Sequence, residues 1–289
     1  HAQVAEALIE LSGERVMEYA GRIGEHFEIA QQHDKAAHWY GQAGKQAQET
    51  YAPETAIKYY RKAIALNPEQ TPHLLEIYSG LGEMLIVQAR YEDALATFTT
   101  MRGAAEQQND QRNLARAWCG TASAQAALGD HHGTLASAMF AEQAAREVDA
   151  AEELALALWM QGRSSFRLGD VDSTLSLGEQ MLAYTTDHDL PRLQARSLNL
   201  LGAIHNMLGH YEQAEEYFGR GLGLCIMLND HRQMMDLSNN LGVIAEAKGE
   251  YDLALRRYQE ALDIARRIGN RDGELVFLSN LGAARLGLG

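Results

Sequence analysis

Apolar residues recur at intervals of three and four along the C-terminal third of the chain. In residues 236–249, DLSNNLGVIAEAKG, the side chains of Leu237, Leu241 and Ile244 fall on one face of an α-helix. The following segment, EYDLALRRYQEALDIARRIGN, keeps the same spacing. Gly249 separates the two segments, and glycine reaches the left-handed backbone conformation that ends a helix without steric cost. The pattern therefore predicts two antiparallel helices joined by a tight turn.

Small residues repeat along the chain with a period of 40 residues. One column marks the predicted turns and holds Gly129, Gly169, Gly209, Gly249 and Gly289, with Ala89 one step earlier. A second column, inside the first helix of each pair, holds Gly82, Ala122, Gly162, Gly202, Gly242 and Gly282; a third, inside the second helix, holds Ala94, Thr134, Thr174, Ala214 and Ala254. A fixed period of roughly 20 to 50 residues indicates a solenoid or array. Because glycine inside a helix costs roughly 1 kcal/mol relative to alanine, the second column predicts a close crossing with another helix.

The order of these residues resembles the tetratricopeptide repeat, whose pattern is W-x2-L-G-x2-Y…A-x3-F…P. The matching residues are Leu241, Gly242, Ala254, Tyr258 and Ala261; Leu201, Gly202, Tyr211, Ala214, Phe218 and Gly221; Trp118; Leu81, Gly82, Tyr91, Ala94, Phe98 and Met101; and Gly44, Ala56, Tyr60, Ala63 and Pro68. The usual period of that family is roughly 34 residues. The longer period here is similar to the repeats of kinesin light chain and of the C-terminal sensor arms of bacterial signal-transduction (STAND-type) ATPases.

The resemblance implies an all-α fold: an α-solenoid whose antiparallel helix pairs stack into a right-handed superhelix. It covers residues 34–289, with about six repeats and a terminal first helix, 273–286, that no second helix follows. Residues 1–33 are expected to form one or two leading helices around 13–31, as in the tail of an upstream domain. Between residues 111 and 181, Ala138 and Gly178 replace the family's large aromatic, so we expect thinner packing and a flexible joint there.

In this family the first helices line the inner surface of the superhelix, so residues that bind a partner should project from them. The inward positions hold Arg116, Cys119, Ser123, Trp159, Arg163, Phe166, Arg167, Arg196, Asn199, Asn206, Met207, Asp236, Asn239 and Glu246, with Asn240 and Asn280 beside them. The resemblance implies a partner-binding surface formed by Arg116, Trp159, Arg163, Phe166, Arg167, Arg196, Asn199, Asn206, Met207, Asn239 and Asn240. The alternative is that the arginines are solvated or paired with acids four residues away, and that Trp159 packs onto a neighbouring repeat.

Composition and charge narrow the possible partners. Lys and Arg number 25 and Asp and Glu 39, a net charge of −14 that disfavours nucleic acid. No apolar run approaches the roughly 20 residues of a membrane helix, so no membrane is expected. Cys119 and Cys225 support neither a disulfide framework nor a zinc site, and a cytoplasmic protein is expected. The chain begins with His1 rather than Met, so we expect it to be part of a longer protein.

Motifs that carry chemistry are weak in this sequence. The glycines of residues 219–225, GRGLGLC, follow no predicted strand, and no nucleophile motif is present. The histidines at predicted turns lack further ligands at metal spacing: His131, His132, His188 and His210. The recurring Asn-Asp pairs 109–110 and 229–230, and residues 270–272, are typical helix caps. We therefore expect no enzyme, no cofactor and no metal site.

Three functions remain open. The first is a protein interaction module that binds a partner peptide or protein on the inner face, as the regulatory or sensor part of a larger bacterial signalling protein. In it the arginines attract acidic groups, the asparagines hold the partner backbone, and apolar pockets come from Trp159, Phe166 and Met207. The second is a small-molecule-sensing arm of a STAND-type ATPase or transcription activator. The third is self-association through the terminal helix.

Overall fold

The computed structural model describes residues 1–66 and 73–287, and these residues form α-helices, one 3₁₀ segment (Gly13–Tyr19) and no strand. The prediction of an all-α chain of antiparallel helix pairs, as in an α-solenoid, is confirmed. The helices are Ala2–Ser12 (α1), Ala20–Ile29 (α2), His33–Glu49 (α3), Pro53–Leu66 (α4), Leu74–Val87 (α5), Tyr91–Gln108 (α6), Gln111–Ala127 (α7), His131–Glu147 (α8), Ala151–Leu168 (α9), Val171–Asp187 (α10), Pro191–Met207 (α11), Tyr211–Leu228 (α12), His231–Ala247 (α13), Tyr251–Ile268 (α14) and Arg271–Gly287 (α15).

The turn column behaves as predicted. The backbone φ angles of its glycines are 79°, 78°, 76° and 78° at Gly129, Gly169, Gly209 and Gly249, and Ala89 also takes a positive φ of 54°. Positive φ is what reverses the chain between the two helices of a pair. Gly289 lies outside the described residues, as does Pro68, the proline expected at the end of α4.

The predicted caps are also found at the starts of first helices. The side chain of Asp110 accepts a hydrogen bond from the backbone N–H of Asn113, and Asp230 accepts one from Gln233. Asn270 caps α15 in the same way, accepting from the N–H of Gly273. Each bond satisfies one of the backbone donors that a helix start leaves unpaired.

Three glycines of the second column, Gly82, Gly202 and Gly242, lie under aromatic rings of the following helix. A Cβ placed on Gly202 or Gly242 would come within 2.5 or 2.6 Å of the ring of Phe218 or Tyr258, which lie 16 residues later. Gly82 under Phe98 has the same arrangement. The predicted close crossings are therefore confirmed at these positions. Gly162 is also in close contact, but with Leu200 of α11.

Gly282 is the exception, and the expectation of a helix crossing there is wrong. A Cβ on Gly282 would meet nothing within 4 Å. The physical reason is that, among the described residues, no second helix follows α15 to bring a ring over this position.

Where the ring over a glycine is a tyrosine, as at Gly242 under Tyr258 and Gly44 under Tyr60, its hydroxyl also forms a hydrogen bond that the repeat pattern does not predict. The hydroxyl of Tyr258 donates to Glu246 Oε2 at 2.7 Å, and that of Tyr60 donates to Gln48 Oε1 at 2.8 Å. In both cases the acceptor lies 12 residues before the tyrosine. The tyrosine ring packs over the glycine, and its hydroxyl bonds to a side chain one turn further along the first helix. These two contacts together fix the angle between the two helices of a pair.

The N-terminal helices have the same combination of a tyrosine ring over a glycine and a hydrogen bond from the tyrosine hydroxyl. Tyr40 of α3 covers Gly24 of α2, and its hydroxyl donates to Glu28 at 2.5 Å. Lys62 of α4 donates to the same Tyr40 oxygen at 2.9 Å. Helix α3 thus packs against α2 through its ring and against α4 through its own Gly44, which lies under Tyr60.

The chain divides into two compact units, His1–Leu154 (unit 1) and Ala155–Gly289 (unit 2). The largest fully buried side chains of unit 1 include Phe27, Tyr40 and Phe98, and those of unit 2 include Phe218 and Tyr258. The division falls within residues 111–181, where the sequence predicts a flexible joint. The joint itself stays a prediction.

Candidate functional site

Trp159 lies at the centre of a cluster of cations in unit 2. Arg163, one helical turn further along α9, places its guanidinium carbon 5.3 Å from the centroid of the Trp159 ring. Arg196 of α11 places its own at 4.8 Å from the same centroid. An arginine near the face of tryptophan is attracted by the ring quadrupole, which holds both guanidinium groups in place. The structure therefore brings together three of the predicted site residues from two consecutive first helices.

These arginines have no acidic partner of their own. In the part of the chain that the structure describes, Arg163, Arg167 and Arg196 form no ion pair with a carboxylate. Burial lowers the pKa of Arg163, and the nearby charges of Arg167 and Arg232 lower it further. Although solvent reaches its surface, the guanidinium is partly desolvated and lies near two like charges, with the carboxylate of Asp236 acting in the opposite direction on its pKa.

Two charged residues of α13 that were absent from the predicted surface belong to this cluster. Burial raises the pKa of the Asp236 carboxyl, while Arg232 and Arg163 act in the opposite direction. Arg232 was missed altogether, and Asp236 was recognised only as an inward position. The sequence feature that could have identified them is their spacing, since residues four apart on a helix share one face and both lie on α13.

The asparagines of the predicted surface form a row between consecutive first helices. The amide of Asn240 in α13 donates to Asn199 Oδ1 in α11 at 2.9 Å, and Asn280 in α15 donates to Asn239 Oδ1 at 2.8 Å. Each bond joins residues 41 apart in the sequence, which is the repeat length of 40 residues plus one residue. An amide has two N–H donors and an oxygen with two lone pairs, so these bonds use only part of its capacity.

The apolar members of the predicted surface are partly accessible. Met207 is 50% exposed at the end of α11, and Trp159 and Phe166 are half-buried on α9. Phe166, Asn206 and Met207 share the first helices with the cation cluster. Within the described ranges they make no ring contact or hydrogen bond with Trp159.

Arg116 lies in unit 1, and its charge is already compensated. Its Nε donates to Glu153 Oε1 at 2.7 Å, and the side chain of Glu153 is only 8% exposed. The thiol of the neighbouring Cys119 lies 3.8 Å from the Glu153 carbonyl oxygen, and burial raises its pKa to about 12. This end of the predicted surface is therefore held by an ion pair between α7 and α9.

The remaining polar groups do not assemble into a second site. His205 and His210 place their Nδ1 atoms 3.4 Å apart at the turn between α11 and α12. No group of three or more His, Cys, Asp or Glu side chains that could hold a metal ion occurs in residues 1–66 or 73–287. Over the same residues, no helix combines the length and the apolar content that crossing a membrane requires.

Three segments of the chain match family models of the tetratricopeptide repeat: residues 53–70, 194–231 and 233–289. The last two cover α11 to α15, where the glycine and aromatic crossings are complete up to Tyr258. The repeats inferred from the order of glycine, alanine and aromatic residues are thereby confirmed.

The chain is similar in sequence to a regulatory protein. It is 31% identical over 100 residues to the regulatory protein AfsR of Streptomyces griseus, covering 35% of this chain. The chain spans about a tenth of the length of that relative.

Two solved structures share the fold. A STAND-type signal-transduction ATPase with a tetratricopeptide repeat sensor, from Pyrococcus horikoshii, has a TM-score of 0.63 and 18% identity over 99% of this chain and 47% of its own. A Rap protein in complex with Competence and Sporulation Factor has a TM-score of 0.63 and 15% identity over 88% of this chain and 76% of its own.

Proposed function

We propose that this chain, which is built of tetratricopeptide repeats, is the binding module of a larger regulatory protein and takes a peptide or protein segment with acidic groups on the first helices of unit 2. The observation that carries the proposal is the pair of arginines on the Trp159 ring, neither of which forms an ion pair with a carboxylate among the described residues. We propose no catalytic role for the chain.

Electrostatics supports an acidic partner. The guanidinium groups of Arg163 and Arg196 are held near one ring, partly desolvated, within a chain whose net charge is −14. A carboxylate that enters between them gains charge-assisted hydrogen bonds, in two-point geometry with one fork, and relieves the repulsion between the two like charges. Because the rest of the surface is acidic, an acidic segment is drawn to this position and repelled elsewhere.

The asparagine row and the apolar side chains supply the rest of the proposed surface. Asn199, Asn239 and Asn240 retain donors and acceptors that suit the backbone of an extended segment. Phe166 and Met207 offer apolar surface on the same first helices. Anchoring by an aromatic and arginine cluster with a polar surround is the usual arrangement of a protein interface.

The test uses a peptide array in which each acidic sequence has a twin with Gln and Asn in place of Glu and Asp. We expect the chain to bind some of the acidic peptides and not to bind their Gln and Asn twins. The double variant Arg163→Glu with Arg196→Glu should bind the same acidic peptides at least tenfold more weakly, because attractive charge-assisted hydrogen bonds are replaced by repulsion. The matched control is Arg256→Glu with Arg267→Glu, which makes the same charge change at exposed positions of α14.

Equal binding by the double variant and the wild-type chain would refute the site. A thermal-shift screen of metabolites separates the alternative, a small-molecule sensor. If one metabolite stabilises the chain and the double variant loses that response while no peptide binds, the ligand is a small molecule and the peptide proposal is wrong.

A further inference from the structure

The cation cluster of unit 2 extends beyond the two arginines on the Trp159 ring. Arg167 lies one helical turn beyond Arg163 on α9. Burial lowers the pKa of both Arg163 and Arg196, and the nearby charge of Arg232 lowers it further. Two carboxylates of α13 act on the same guanidinium groups. The charged groups of the cluster are Arg163, Arg167, Arg196, Arg232, Asp230 and Asp236. With four cations and two anions, the cluster has two positive charges in excess.

The two carboxylates compensate these cations only weakly. Asp230 is the N-cap of α13, where it accepts hydrogen bonds from the backbone N–H of Gln233 at 3.2 Å and from its side-chain amide at 2.8 Å. Burial disfavours the ionised form of Asp236 by raising its pKa. In residues 1–66 and 73–287, neither carboxylate forms an ion pair with an arginine of the cluster. The excess charge is therefore available to a ligand.

The positions of the arginines favour an anion of a particular shape. The guanidinium carbons of Arg163 and Arg196 lie 5.3 and 4.8 Å from one ring centroid, so one small anion beside that ring is near both. A carboxylate is planar, carries one charge and is matched by one guanidinium fork. A phosphate monoester carries a charge near −2 at neutral pH on three acceptor oxygens, which point in different directions. It can therefore accept hydrogen bonds from arginines on different helices.

We propose that the acidic group bound by this cluster is the phosphate of a phosphorylated side chain in the partner segment. The inference rests on the function proposed above and names the group that the site recognises. Two negative charges on one centre balance the two excess positive charges, whereas a single carboxylate leaves one of them uncompensated. Arg163 and Arg196 bind the phosphate oxygens beside the ring, and Arg167 and Arg232 stabilise the second charge. Phosphorylation of the partner then controls its binding.

The first test compares peptides that differ at one place. Degenerate peptides with a central phosphoserine are titrated with the whole chain and followed by fluorescence anisotropy. Their twins carry Ser, Glu or two consecutive Glu residues at that place. We expect the phosphoserine peptides to bind about tenfold more tightly than either Glu twin, because only phosphate puts both charges on one centre, and the Ser twins not to bind.

The second test removes one cation that supplies the extra charge. Arg232→Gln should weaken the phosphoserine peptides about tenfold and their Glu twins less, so that the preference for phosphate falls. The matched control is Arg256→Gln, which makes the same change at an exposed position of α14 and should keep the preference of the wild type. Helical circular dichroism of both variants shows that they are folded.

The third test uses pH to change the charge of the phosphate alone. Phosphoserine gains its second charge with a pKa of about 6, whereas glutamate is already ionised above a pKa of about 4.3. Between pH 5 and 7 the affinity for the phosphoserine peptides should therefore rise severalfold relative to that for the Glu twins. The charged groups of the cluster meet both peptides alike, so the ratio of the two affinities reports the charge of the phosphate.

The possible failures can be told apart. Equal binding of phosphoserine peptides and Glu twins, or a ratio that does not change with pH, would overturn the phosphate proposal and leave the acidic-segment function standing. If neither kind of peptide binds, both proposals are wrong. If inorganic phosphate or free phosphoserine raises the melting temperature of the chain while no peptide binds, the ligand is a small phosphorylated compound and not a protein segment.

Discussion

Unit 1 and unit 2 use the same helix pair but treat charge on their first helices differently. In unit 1, Arg116 is bonded to Glu153 at 2.7 Å, and the amide of Gln48 donates to Glu83 at 2.9 Å. In unit 2, Arg163 and Arg196 flank Trp159 with no carboxylate paired to either among the described residues. The repeat fixes where a side chain projects, whereas the neighbouring first helix decides whether its charge is paired with a carboxylate.

The largest expected effect on stability concerns a feature that the two units share, the packing of an aromatic ring over a glycine. Gly82→Leu in unit 1 and Gly242→Leu in unit 2 should each destabilise the chain by about 3 kcal/mol, because a larger side chain collides with the ring of Phe98 or Tyr258. Chemical unfolding followed by hydrogen exchange would give the loss and assign it to one unit.

The controls for these variants are Gly103→Leu in α6 and Gly223→Leu in α12. A Cβ at either position meets nothing within 4 Å, so both should gain stability from the higher helix propensity of leucine, by about 0.5–1 kcal/mol. If the variants at the crossings were as stable as these controls, ring-over-glycine packing would not hold the pairs together.

The next effect tests what distinguishes the units. Arg116→Ala should destabilise unit 1 by about 1–2 kcal/mol, because it leaves the buried carboxylate of Glu153 without its charged partner. Arg196→Ala in unit 2 should cost only about 0.5 kcal/mol, the loss of its contact with the Trp159 ring.

Binding should respond in the reverse order. Arg196→Ala is expected to weaken the binding of acidic peptides, and Arg116→Ala is expected to leave their binding unchanged. Both variants are compared at a temperature where both chains are folded. Calorimetric unfolding and peptide titration of the same two variants provide the measurement. If Arg116→Ala and Arg196→Ala lost equal stability, the two units would not differ in how they compensate the charge of these arginines.

The smallest effect concerns Asp236 and pH. Burial raises the pKa of this carboxyl above its ordinary value, so its ionised form is disfavoured in the folded chain. Stability should therefore fall as pH rises through the window from the ordinary aspartate pKa, about 3.9, to the higher folded value.

Asp236→Asn removes the ionisation and should be slightly more stable than the wild type at neutral pH, with no advantage below about pH 3.5, where both side chains are neutral. Thermal melts of the two chains across that range would measure the difference. A wild-type chain that is the more stable at neutral pH would mean that attraction from Arg232 outweighs burial.

Much of the fold follows from local pattern alone. A glycine or asparagine at a turn is selected by its own φ angle, as at Gly129 and Asn229, and a cap such as Asp230 needs only the next three residues. The crossings at Gly202 and Gly242 can also be predicted from the sequence, because the period of 40 residues places an aromatic side chain, Phe218 or Tyr258, over each. Gly282 does not follow that rule because, among the described residues, no second helix follows α15.

The candidate site was predictable only in part. The sequence placed Trp159, Arg163 and Arg196 on first helices, but their meeting at one ring depends on how α9 packs against α11. Arg232 was missed because no family position marks it. The bond between Arg116 and Glu153 joins residues 37 apart, a spacing that the repeat does not specify.

By itself, then, the sequence determined the helices, their turns, the repeat and the faces from which polar side chains project, because these depend on backbone conformation and on spacing along one helix. The tertiary structure decided which charges are paired and which amides bond to each other. Those properties depend on distances between helices of different repeats, since a hydrogen bond is lost when its donor and acceptor move about an ångström beyond their ideal separation, and an ion pair weakens as its charges move apart.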